Sequence, residues 1–362
     1  MVAADKRVWI PVASSIIISF SYFLSHFFCN DIRDAIEIFR WPEAERVKEA
    51  RRVSTYNFDI TPTEFACQYG AVDDGTLPKP PIPNIAHFIV GLHDAELSFP
   101  AYLSIRSALE VLQPNVVKLH HTENLNKQNA QLQKLLSDER VQLEHHRAEA
   151  VRSAMRASRH YAHMSDMLRL QILHREGGIY LDADVYMLQP FDALRHSPCD
   201  VVMGHEGGDR GGLTNAIILA RPRAAFIGRW IESYADFRGD EWNQHSVVLP
   251  ARMALEPGRE AEVCRLSPHA FFWPTWTSDH LHWMHEPLGA RGYAATQMQL
   301  RANNGSLFED QMAYHGWNSL AWTKYFSVID EKTVRTKATR FNLMVKRFLD
   351  EDDVVDPAQD EL

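Results

Sequence analysis

The sequence predicts an α/β fold in which a mainly parallel sheet carries helices on both faces. From residue 84 onwards, short apolar runs alternate with helical segments, which is the pattern of consecutive βαβ units. Hydrophobic residues make up 45% of the chain and aromatic residues 10%, which is enough for a substantial core. A pair of aspartates follows one apolar run, at the strand end where open α/β sheets bind ligands. The length of 362 residues fits one large domain with appendages.

The N-terminal residues predict a membrane anchor followed by a stem. Residues 8–29 form an uncharged run preceded by Lys6 and Arg7, and a run of this length spans a bilayer. The basic flank places residues 1–7 in the cytosol and the remainder of the chain in the secretory lumen. A cleaved signal peptide is the alternative, although the run exceeds a usual signal segment and no clear cleavage site follows. Residues 30–83 are interpreted as a stem that ends in stiff, proline-rich chain.

The domain is expected over residues 84–345, and its first elements alternate. Strands are predicted at 84–91, 116–120 and 141–145, with helices at 100–112 and 126–136. Residues 346–362 form an acidic tail without a core pattern and are expected to be disordered. A net charge of −9 without a basic cluster argues against a nucleic-acid partner.

The next segment predicts a buried helix that leads directly into a strand. Ser165 is a candidate N-cap, and Gly177 with Gly178 would end the helix in a left-handed conformation. Asp166 and Arg169 interrupt an otherwise apolar helix and, being three residues apart, project from the same side. Residues 179–181 are an apolar run of strand type.

Asp182 and Asp184 follow this strand, and alternation along an extended chain would send both carboxylates to the same side. Carboxylates this close repel each other unless a cation lies between them. Hard oxygen ligands suit Mg²⁺ or Mn²⁺, which would hold a diphosphate in turn. The alternative for an isolated Asp-x-Asp is a solvated pair at a strand end.

This constellation resembles the sugar-binding region of the GT-A glycosyltransferases of family 32, which includes α-1,6-mannosyltransferases, α-1,4-galactosyltransferases and inositol-phosphoceramide mannosyltransferases. The matching residues occur in the family's order: Ser165, Asp166, Arg169, Gly177, Gly178, Tyr180, Asp182 and Asp184. The resemblance implies a GT-A fold and a retaining transfer from a nucleotide sugar (UDP-galactose, UDP-glucose or GDP-mannose). It also implies Mn²⁺ (or Mg²⁺) as cofactor and a glycan or glycolipid as acceptor.

The same resemblance implies roles for individual residues. Asp166, Arg169 and Asn215 would contact the donor sugar, with a turn-forming asparagine as the alternative for Asn215. Asp182, Asp184 and His315 would bind the metal and the diphosphate, since 313–322 resembles the family's His-x-Trp…Trp close. Ala321 stands where the family has a serine before the last Trp, which puts that hydroxyl contact in doubt. No catalytic base is named, because the diphosphate oxygen can take the acceptor proton in enzymes of this kind.

An aromatic segment at 267–287 suggests two further sites. Trp273, Trp276 and Trp283 would form a platform for the acceptor sugar, with packing inside the core as the alternative. Residues His280, His282 and His285 suggest a zinc site, although their spacing is not a recognised helical pair.

The remaining signals fit the endoplasmic reticulum or Golgi membrane with a lumenal domain. Cys67, Cys199 and Cys264 allow at most one intramolecular disulfide among the lumenal residues. Asn304 begins an Asn-Gly-Ser acceptor for N-glycosylation. The last four residues, Gln-Asp-Glu-Leu, resemble retrieval signals of the endoplasmic reticulum in three positions, with a chance acidic end as the alternative.

Two other functions remain open from the sequence. A phosphohydrolase would use Asp182 and Asp184 as nucleophile and acid, but that class needs the motif early in its domain, with a lysine and a later Asp pair in the same domain. A non-catalytic protein that binds sugar nucleotides or glycans is the second alternative, and the intact acidic pair with His315 argues against it.

Overall fold

A computed structural model describes residues 61–69, 79–92, 95–147, 161–207, 212–236, 243–259 and 261–350. The expected cytosolic segment 1–7, the anchor 8–29, most of the stem and the end of the tail lie outside these residues. Among the helices of the described ranges, none combines the length and apolarity needed to cross a membrane.

The strands of the described chain form one seven-stranded sheet and one two-stranded ribbon. The large sheet has the order β3-β2-β1-β4-β7-β6-β8, in which β7 is antiparallel to both neighbours and the other neighbouring pairs are parallel. The predicted mainly parallel α/β sheet is therefore confirmed. The strands are β1 (Ile85–Ile89), β2 (Val116–His121), β3 (Val141–His145), β4 (Gly178–Leu181), β5 (Val185–Met187), β6 (Val201–His205), β7 (Leu213–Ala220), β8 (Val263–Leu266) and β9 (Ala313–His315).

The helices follow the predicted alternation in the first half of the domain and, apart from the helix over 290–302, are short in the second half. They are α1 (Pro62–Tyr69), α2 (Phe99–Val111), α3 (Ala130–Leu136), α4 (Tyr161–Glu176), α5 (Asp192–Arg195), α6 (Ala225–Ser233), α7 (Leu249–Met253), α8 (Pro268–Phe271), α9 (Ser278–His285), α10 (Ala290–Ala302), α11 (Asn318–Ala321), α12 (Glu331–Thr336) and α13 (Arg340–Val345). Helix α3 begins later than the predicted residue 126 because the Asn129 side chain caps it by accepting from the Leu132 amide.

The helix α4 passes into β4 through two glycines without an intervening loop. Gly177 and Gly178 have φ values of +67° and +107°, as the sequence predicts for the end of this helix. A Cβ atom at Gly178 would lie 2.7 Å from the Ile85 carbonyl oxygen and 2.9 Å from His87 Nε2. The predicted start is wrong, because α4 begins at Tyr161 and Ser165 lies inside it.

Helix α4 is buried against the sheet and α6, as its apolar composition predicts. Leu170, Ile172 and Leu173 have no solvent exposure, and Trp230 of α6 is equally buried. This burial fixes α4 against β4 and β7 and so fixes the polar side chains that it carries.

The domain begins earlier than predicted, since α1 belongs to it rather than to a stem. A disulfide joins Cys67 of α1 to Cys264 of β8, and Cys199 is free and buried. Glu64 of α1 is fully buried, and one of its carboxylate oxygens accepts hydrogen bonds from the amide and hydroxyl of Ser267. Ile82 is also fully buried. The predicted boundary at residue 84 is therefore wrong, and α1 covers the edge strand β8.

The domain also ends later than predicted. Residues 346–348 form a 3₁₀ turn, and Phe348 is almost fully buried. The Tyr102 hydroxyl donates to the Asp350 carboxylate at 3.1 Å, which ties the end of this segment to α2. Residues 346–350 therefore pack on the domain and do not belong to a disordered tail.

The ribbon of β5 and β9 brings distant parts of the chain together. The strands pair antiparallel, and Val185 lies opposite His315. Two serines on the buried face of α2 hold β5 from behind: Ser104 Oγ donates to the Val185 carbonyl oxygen at 2.6 Å, and Ser107 Oγ accepts from the Met187 amide at 2.8 Å. The position of the ribbon is thus set by hydrogen bonds to α2 as well as by apolar packing.

A ladder of three histidines, His87, His120 and His146, crosses β1, β2 and the end of β3. His87 Nε2 lies 2.9 Å from the Gly177 carbonyl oxygen, and His87 Nδ1 lies 3.0 Å from His120 Nε2. His120 Nδ1 lies 2.9 Å from His146 Nε2. Because the Gly177 oxygen only accepts, each neutral ring in this ladder carries its proton on Nε2. Burial lowers the pKa of His87 to about 4 and that of His120 to about 2.

Candidate functional site

The two aspartates of the motif lie in a tight turn between β4 and β5. The Asp182 amide donates to the Ala216 carbonyl oxygen of β7, and the Val185 amide donates back to the Asp182 carbonyl oxygen at 3.0 Å. Ala183 and Asp184 occupy the turn. The carboxylates therefore converge because the chain turns, and the predicted alternation along an extended strand is wrong.

Asp182, Asp184 and His315 form a group of potential metal ligands. One ligand atom from each residue lies within 4.8 Å of the others. His315 Nε2 lies 3.3 Å from Asp184 Oδ1. The antiparallel pairing of β5 and β9 causes this approach, because His315 lies opposite the residue that follows Asp184. The structure thus brings together the three residues that the sequence predicts as ligands.

The chemistry of this group fits a divalent cation. Two carboxylates and an imidazole are donors that Mn²⁺ accepts, and His315 Nδ1 is buried without a hydrogen-bond partner in the described residues. Burial raises the pKa of Asp182, and the charge of Asp184 adds to this rise against the opposing effect of Arg169. A cation between the two carboxylates would relieve their repulsion.

The Asp184 carboxylate is the better stabilised of the two. Burial alone would raise its pKa, but the neighbouring His315 and the Asn318 amide lower it below the ordinary value. Burial would lower the pKa of His315, whereas the negative charges of Asp184, Asp182 and Glu206 raise it. At neutral pH this pair therefore favours an ionised Asp184.

The chain after His315 wraps around Asp184 and was not expected to contact it. The Gly316 amide donates to the Asp184 carbonyl oxygen at 2.8 Å, and the Asn318 amide donates to Asp184 Oδ2 at 2.7 Å. Trp317 adopts a left-handed φ of +55° between them. Backbone donors of this kind carry no residue signature, so the sequence offers no signal for them.

Arg169 holds the donor-site residues together. Its guanidinium donates to Asp182 Oδ1 at 2.7 Å, to the Asn215 carbonyl oxygen, and to the carbonyl and hydroxyl oxygens of Ser165. A fifth contact, of 3.2 Å, reaches Asp166 Oδ1. Four hydrogen bonds and this ion pair thus direct the guanidinium toward other residues of the site. Arg169 therefore positions other side chains, whereas the sequence predicted a direct clamp on the donor sugar.

Asp166 and Asn215 lie side by side. Asn215 Nδ2 donates to Asp166 Oδ1 at 2.7 Å, and both residues are buried. Asn215 is the third residue of β7, so the alternative of a turn-forming asparagine is wrong. Arg169 contacts both Asp166 and Asp182, so the pair of Asp166 and Asn215 lies next to the Asp182 carboxylate.

Tyr180 contributes to the site through a contact that the sequence analysis missed. Its hydroxyl donates to Asp182 Oδ1 at 2.8 Å, and the Arg169 guanidinium carbon lies 4.6 Å from the centre of its ring. Both donors to Asp182 bind Oδ1. In the described part of the chain, Oδ2 receives no hydrogen bond and is the oxygen available to a ligand. The two-residue spacing from Tyr180 to Asp182 is the signal that indicates this contact.

The aromatic segment packs inside the protein and does not form a platform of three tryptophans. Trp273 and Trp283 are 5% and 7% exposed, and the Arg340 guanidinium covers the Trp283 ring at 4.2 Å. Only Trp276 of the three is partly exposed. The alternative of core packing is therefore correct for Trp273 and Trp283.

The three histidines of α9 do not form a zinc site. His280 Nδ1 accepts from the amide of Thr275, and His285 stacks on the Tyr325 ring, so both face the interior. His282 points outwards and has an exposed side chain. The helix thus sends these rings in different directions, which excludes a shared ion.

Asn304 lies in an exposed turn after α10, with a φ of +52°. Ser306 of the same acceptor sequence is fully buried, and its hydroxyl donates to the Gln311 carbonyl oxygen at 3.0 Å. Glycosylation of Asn304 stays a prediction.

Comparisons with known proteins point to one family of enzymes. A family model for the glycosyltransferase sugar-binding region containing the DXD motif matches residues 109–200. Over 315 residues, the chain is 34% identical to Glucan organizing enzyme 1 of Cryptococcus neoformans var. grubii serotype A. This match covers 81% of the present chain and 80% of the fungal protein.

Solved structures show a more distant likeness. The PaToxG glycosyltransferase is 19% identical, with a TM-score of 0.38, over 62% of this chain and 79% of that chain. The galactosyltransferase LgtC, solved with donor and acceptor sugar analogues, is 12% identical with a TM-score of 0.37, over 69% of this chain and 98% of that chain.

Proposed function

Because this chain belongs to the glycosyltransferase family whose sugar-binding region contains a DXD motif, we propose that it is a retaining, metal-dependent hexosyltransferase. One observation carries the proposal: Asp182, Asp184 and His315 converge at the carboxyl end of β4, beside the buried pair of Asp166 and Asn215. Ligands of open α/β sheets bind at this position.

Asp182 Oδ2, the Asp184 carboxylate and the His315 imidazole would hold Mn²⁺ or Mg²⁺. When bound, the ion supplies positive charge that stabilises the leaving diphosphate. The Asn318 amide and the Ser104 hydroxyl keep Asp184 and the following Val185 in place before any ligand arrives.

Asp166 and Asn215 are the proposed hydrogen-bond partners of the hexose hydroxyls. Arg169 fixes Asp166 relative to Asp182 through one guanidinium, and this geometry would orient the donor carbon toward the acceptor. The related fungal protein is called a glucan organizing enzyme, which favours a glycan acceptor over a glycolipid. The donor is proposed among UDP-glucose, UDP-galactose and GDP-mannose.

We place the domain in the lumen of the endoplasmic reticulum or Golgi, anchored through residues 8–29. The disulfide between Cys67 and Cys264 supports this placement, because such bonds persist in oxidising compartments. The acceptor sequence at Asn304 and the C-terminal Gln-Asp-Glu-Leu are consistent with it.

Donor hydrolysis is the experiment that tests the proposal. The protein is incubated with each of the three nucleotide sugars, and nucleoside diphosphate release is measured with Mn²⁺, with Mg²⁺ and with EDTA. We expect one of the three donors to release nucleoside diphosphate, and to do so only when the metal is present. Phosphate release from simple phosphate esters would instead support a phosphohydrolase. Donor binding without turnover, even with added glucan, would support a non-catalytic binding protein.

A further inference from the structure

Trp317 has a backbone conformation that a bulky side chain rarely adopts. Its φ of +55° and ψ of +42° lie in the left-handed region, where the Cβ atom of an L-residue crowds a neighbouring carbonyl oxygen. Of the aromatic residues in the part of the chain that the structure describes, it alone has a positive φ. Such a conformation persists only where surrounding contacts impose it, and residues of this kind cluster at functional sites.

The left-handed residue turns the amides on either side of it toward Asp184. The Gly316 amide donates to the Asp184 carbonyl oxygen at 2.8 Å, and the Asn318 amide donates to Asp184 Oδ2 at 2.7 Å. The approach is close, since a Cβ atom at Gly316 would lie 3.1 Å from the Asp184 carbonyl oxygen. Turns of this kind aim backbone N–H groups at an anion. The conformation of Trp317 therefore decides whether Asp184 keeps both donors.

Three contacts hold the indole ring of Trp317 in place. The residue is 6% exposed, and its ring centroid lies 4.2 Å from that of His315 and 6.0 Å from that of Phe272. Its Nε1 donates to the Pro274 carbonyl oxygen at 3.4 Å. A ring packed on these sides cannot follow the backbone into an extended conformation, so its burial selects the left-handed φ. The same ring lies against the imidazole of His315, the potential metal ligand from β9.

We infer that Trp317 is a positioning residue of the metal site, and that its buried ring sets the geometry of Asp184 and His315 before an ion arrives. The inference rests on the proposed metal-dependent transfer. Trp317 supplies no ligand atom, because an indole N–H only donates. It acts on Asp184 through the two flanking amides and on His315 through ring contact. Groups that support a metal ligand in this way typically change metal affinity by about 10–100-fold.

The test measures Mn²⁺ affinity and the order of the turn separately, on the full chain. Trp317→Leu removes the ring, Trp317→Phe keeps an aromatic ring without the N–H, and Asn318→Pro removes an amide donor while the indole stays. Titration calorimetry with Mn²⁺ alone gives the affinity. Hydrogen exchange of the Gly316 and Asn318 amides, followed by mass spectrometry without metal, reports on the turn. The control is Trp230→Leu, which removes a fully buried indole whose Nε1 also donates to a backbone carbonyl oxygen.

For Trp317→Leu we expect the Mn²⁺ affinity to fall at least ~10-fold. The two amides should exchange faster, while exchange in β7 stays as in wild type. Trp317→Phe should keep an affinity close to that of wild type, and Asn318→Pro should lose as much as Trp317→Leu. Trp230→Leu should lower the free energy of unfolding and leave the Mn²⁺ affinity unchanged.

A wild-type Mn²⁺ affinity in Trp317→Leu or in Asn318→Pro would overturn the inference. Equal losses of affinity in Trp317→Leu and Trp230→Leu would also overturn it, because a general loss of packing would then explain both. Should Trp317→Leu fail to fold, the affinity of Asn318→Pro decides. If wild type binds no Mn²⁺, the proposed function fails, and amide exchange alone decides whether Trp317 holds the turn around Asp184.

Discussion

Arg169 Nη1 lies 2.7 Å from Asp182 Oδ1, and this ion pair joins helix α4 to the turn that carries the motif. The guanidinium side chain is 6% exposed and the Asp182 side chain 27% exposed. A charge pair so withdrawn from water stabilises the fold only as long as both partners remain. The pair therefore couples the integrity of the domain to the geometry of the site.

Arg169→Ala should lower the free energy of unfolding by about 3 kcal/mol, because it leaves the carboxylates of Asp182 and Asp166 without their shared cation. Urea unfolding followed by circular dichroism measures this change. Arg175→Ala is the control on the same helix, since that side chain is 60% exposed, and it should cost less than about 1 kcal/mol. Equal stability of the two variants, with donor binding lost only in Arg169→Ala, would return Arg169 to the role of a direct sugar ligand.

Asp184→Asn should reduce metal-dependent donor hydrolysis at least ~100-fold, since loss of a ligand exceeds the effect of disturbing its surroundings. The near-isosteric change should leave the circular dichroism spectrum intact. Calorimetric titration with Mn²⁺ should show weakened binding in parallel, and EDTA should abolish the wild-type activity. Asp192→Asn, whose side chain is 72% exposed, is the control and should behave as wild type. Full turnover in Asp184→Asn at saturating Mn²⁺ would disprove the metal site.

The histidine ladder should make the protein less stable in mild acid. The folded state keeps His87 and His120 neutral down to pH values of about 4 and about 2, whereas the ordinary value is 6.5. Below pH 6.5 the unfolded chain therefore binds more protons, so stability falls as the pH falls. The free energy of unfolding should fall by up to about 1.4 kcal/mol per pH unit for each proton that the unfolded chain binds and the folded chain does not. Denaturant midpoints between pH 7.5 and 5 measure it.

Replacement of one ladder residue tests this explanation. His120→Gln should reduce the slope of the free energy of unfolding against pH by up to the contribution of one proton. This expectation holds whatever the effect of the substitution on stability at pH 7.5. His282→Gln removes an exposed histidine and is the control. An unchanged slope in His120→Gln would show that other groups cause the acid sensitivity.

Reduction of the disulfide should release α1 from the edge of the sheet. The bond closes a loop across 197 residues, and its loss should cost about 2–4 kcal/mol. Thermal unfolding with and without dithiothreitol measures the effect on wild type and on the double variant Cys67→Ser/Cys264→Ser. The double variant should not respond to reductant, whereas Cys199→Ala should respond like wild type. A response in the double variant would locate the sensitivity elsewhere.

The sequence predicts the sheet and the two aspartates of the motif well because both depend on local patterns. Strand β3 occupies the predicted residues, and Gly177 ends α4 as expected. The family resemblance, confirmed by the comparisons, supplied His315, which no local pattern would have joined to Asp184 across 131 residues. The pairing of β5 with β9 is the physical reason for that contact.

Features that depend on tertiary packing were not predictable. Helix α1 is too short and too weakly patterned to indicate that it packs on β8, and the choice of Cys67 with Cys264 needs coordinates. The Ser104 hydroxyl contact with Val185 requires knowledge of which helix covers the ribbon. Whether a tryptophan can bind a sugar depends on the exposure of its ring, which is set by tertiary packing. Trp283 cannot, because the Arg340 guanidinium covers the face of its ring.

The ribbon of β5 and β9 has a consequence for biosynthesis. Six of the seven strands of the large sheet are translated before residue 221, yet His315 joins the site only after nearly all of the domain has been made. A nascent or truncated chain that ends before β9 would retain both aspartates of the motif but lack the imidazole and the amides that hold Asp184. We therefore expect a fragment that ends before β9 to lack the proposed transferase activity even though it retains both aspartates.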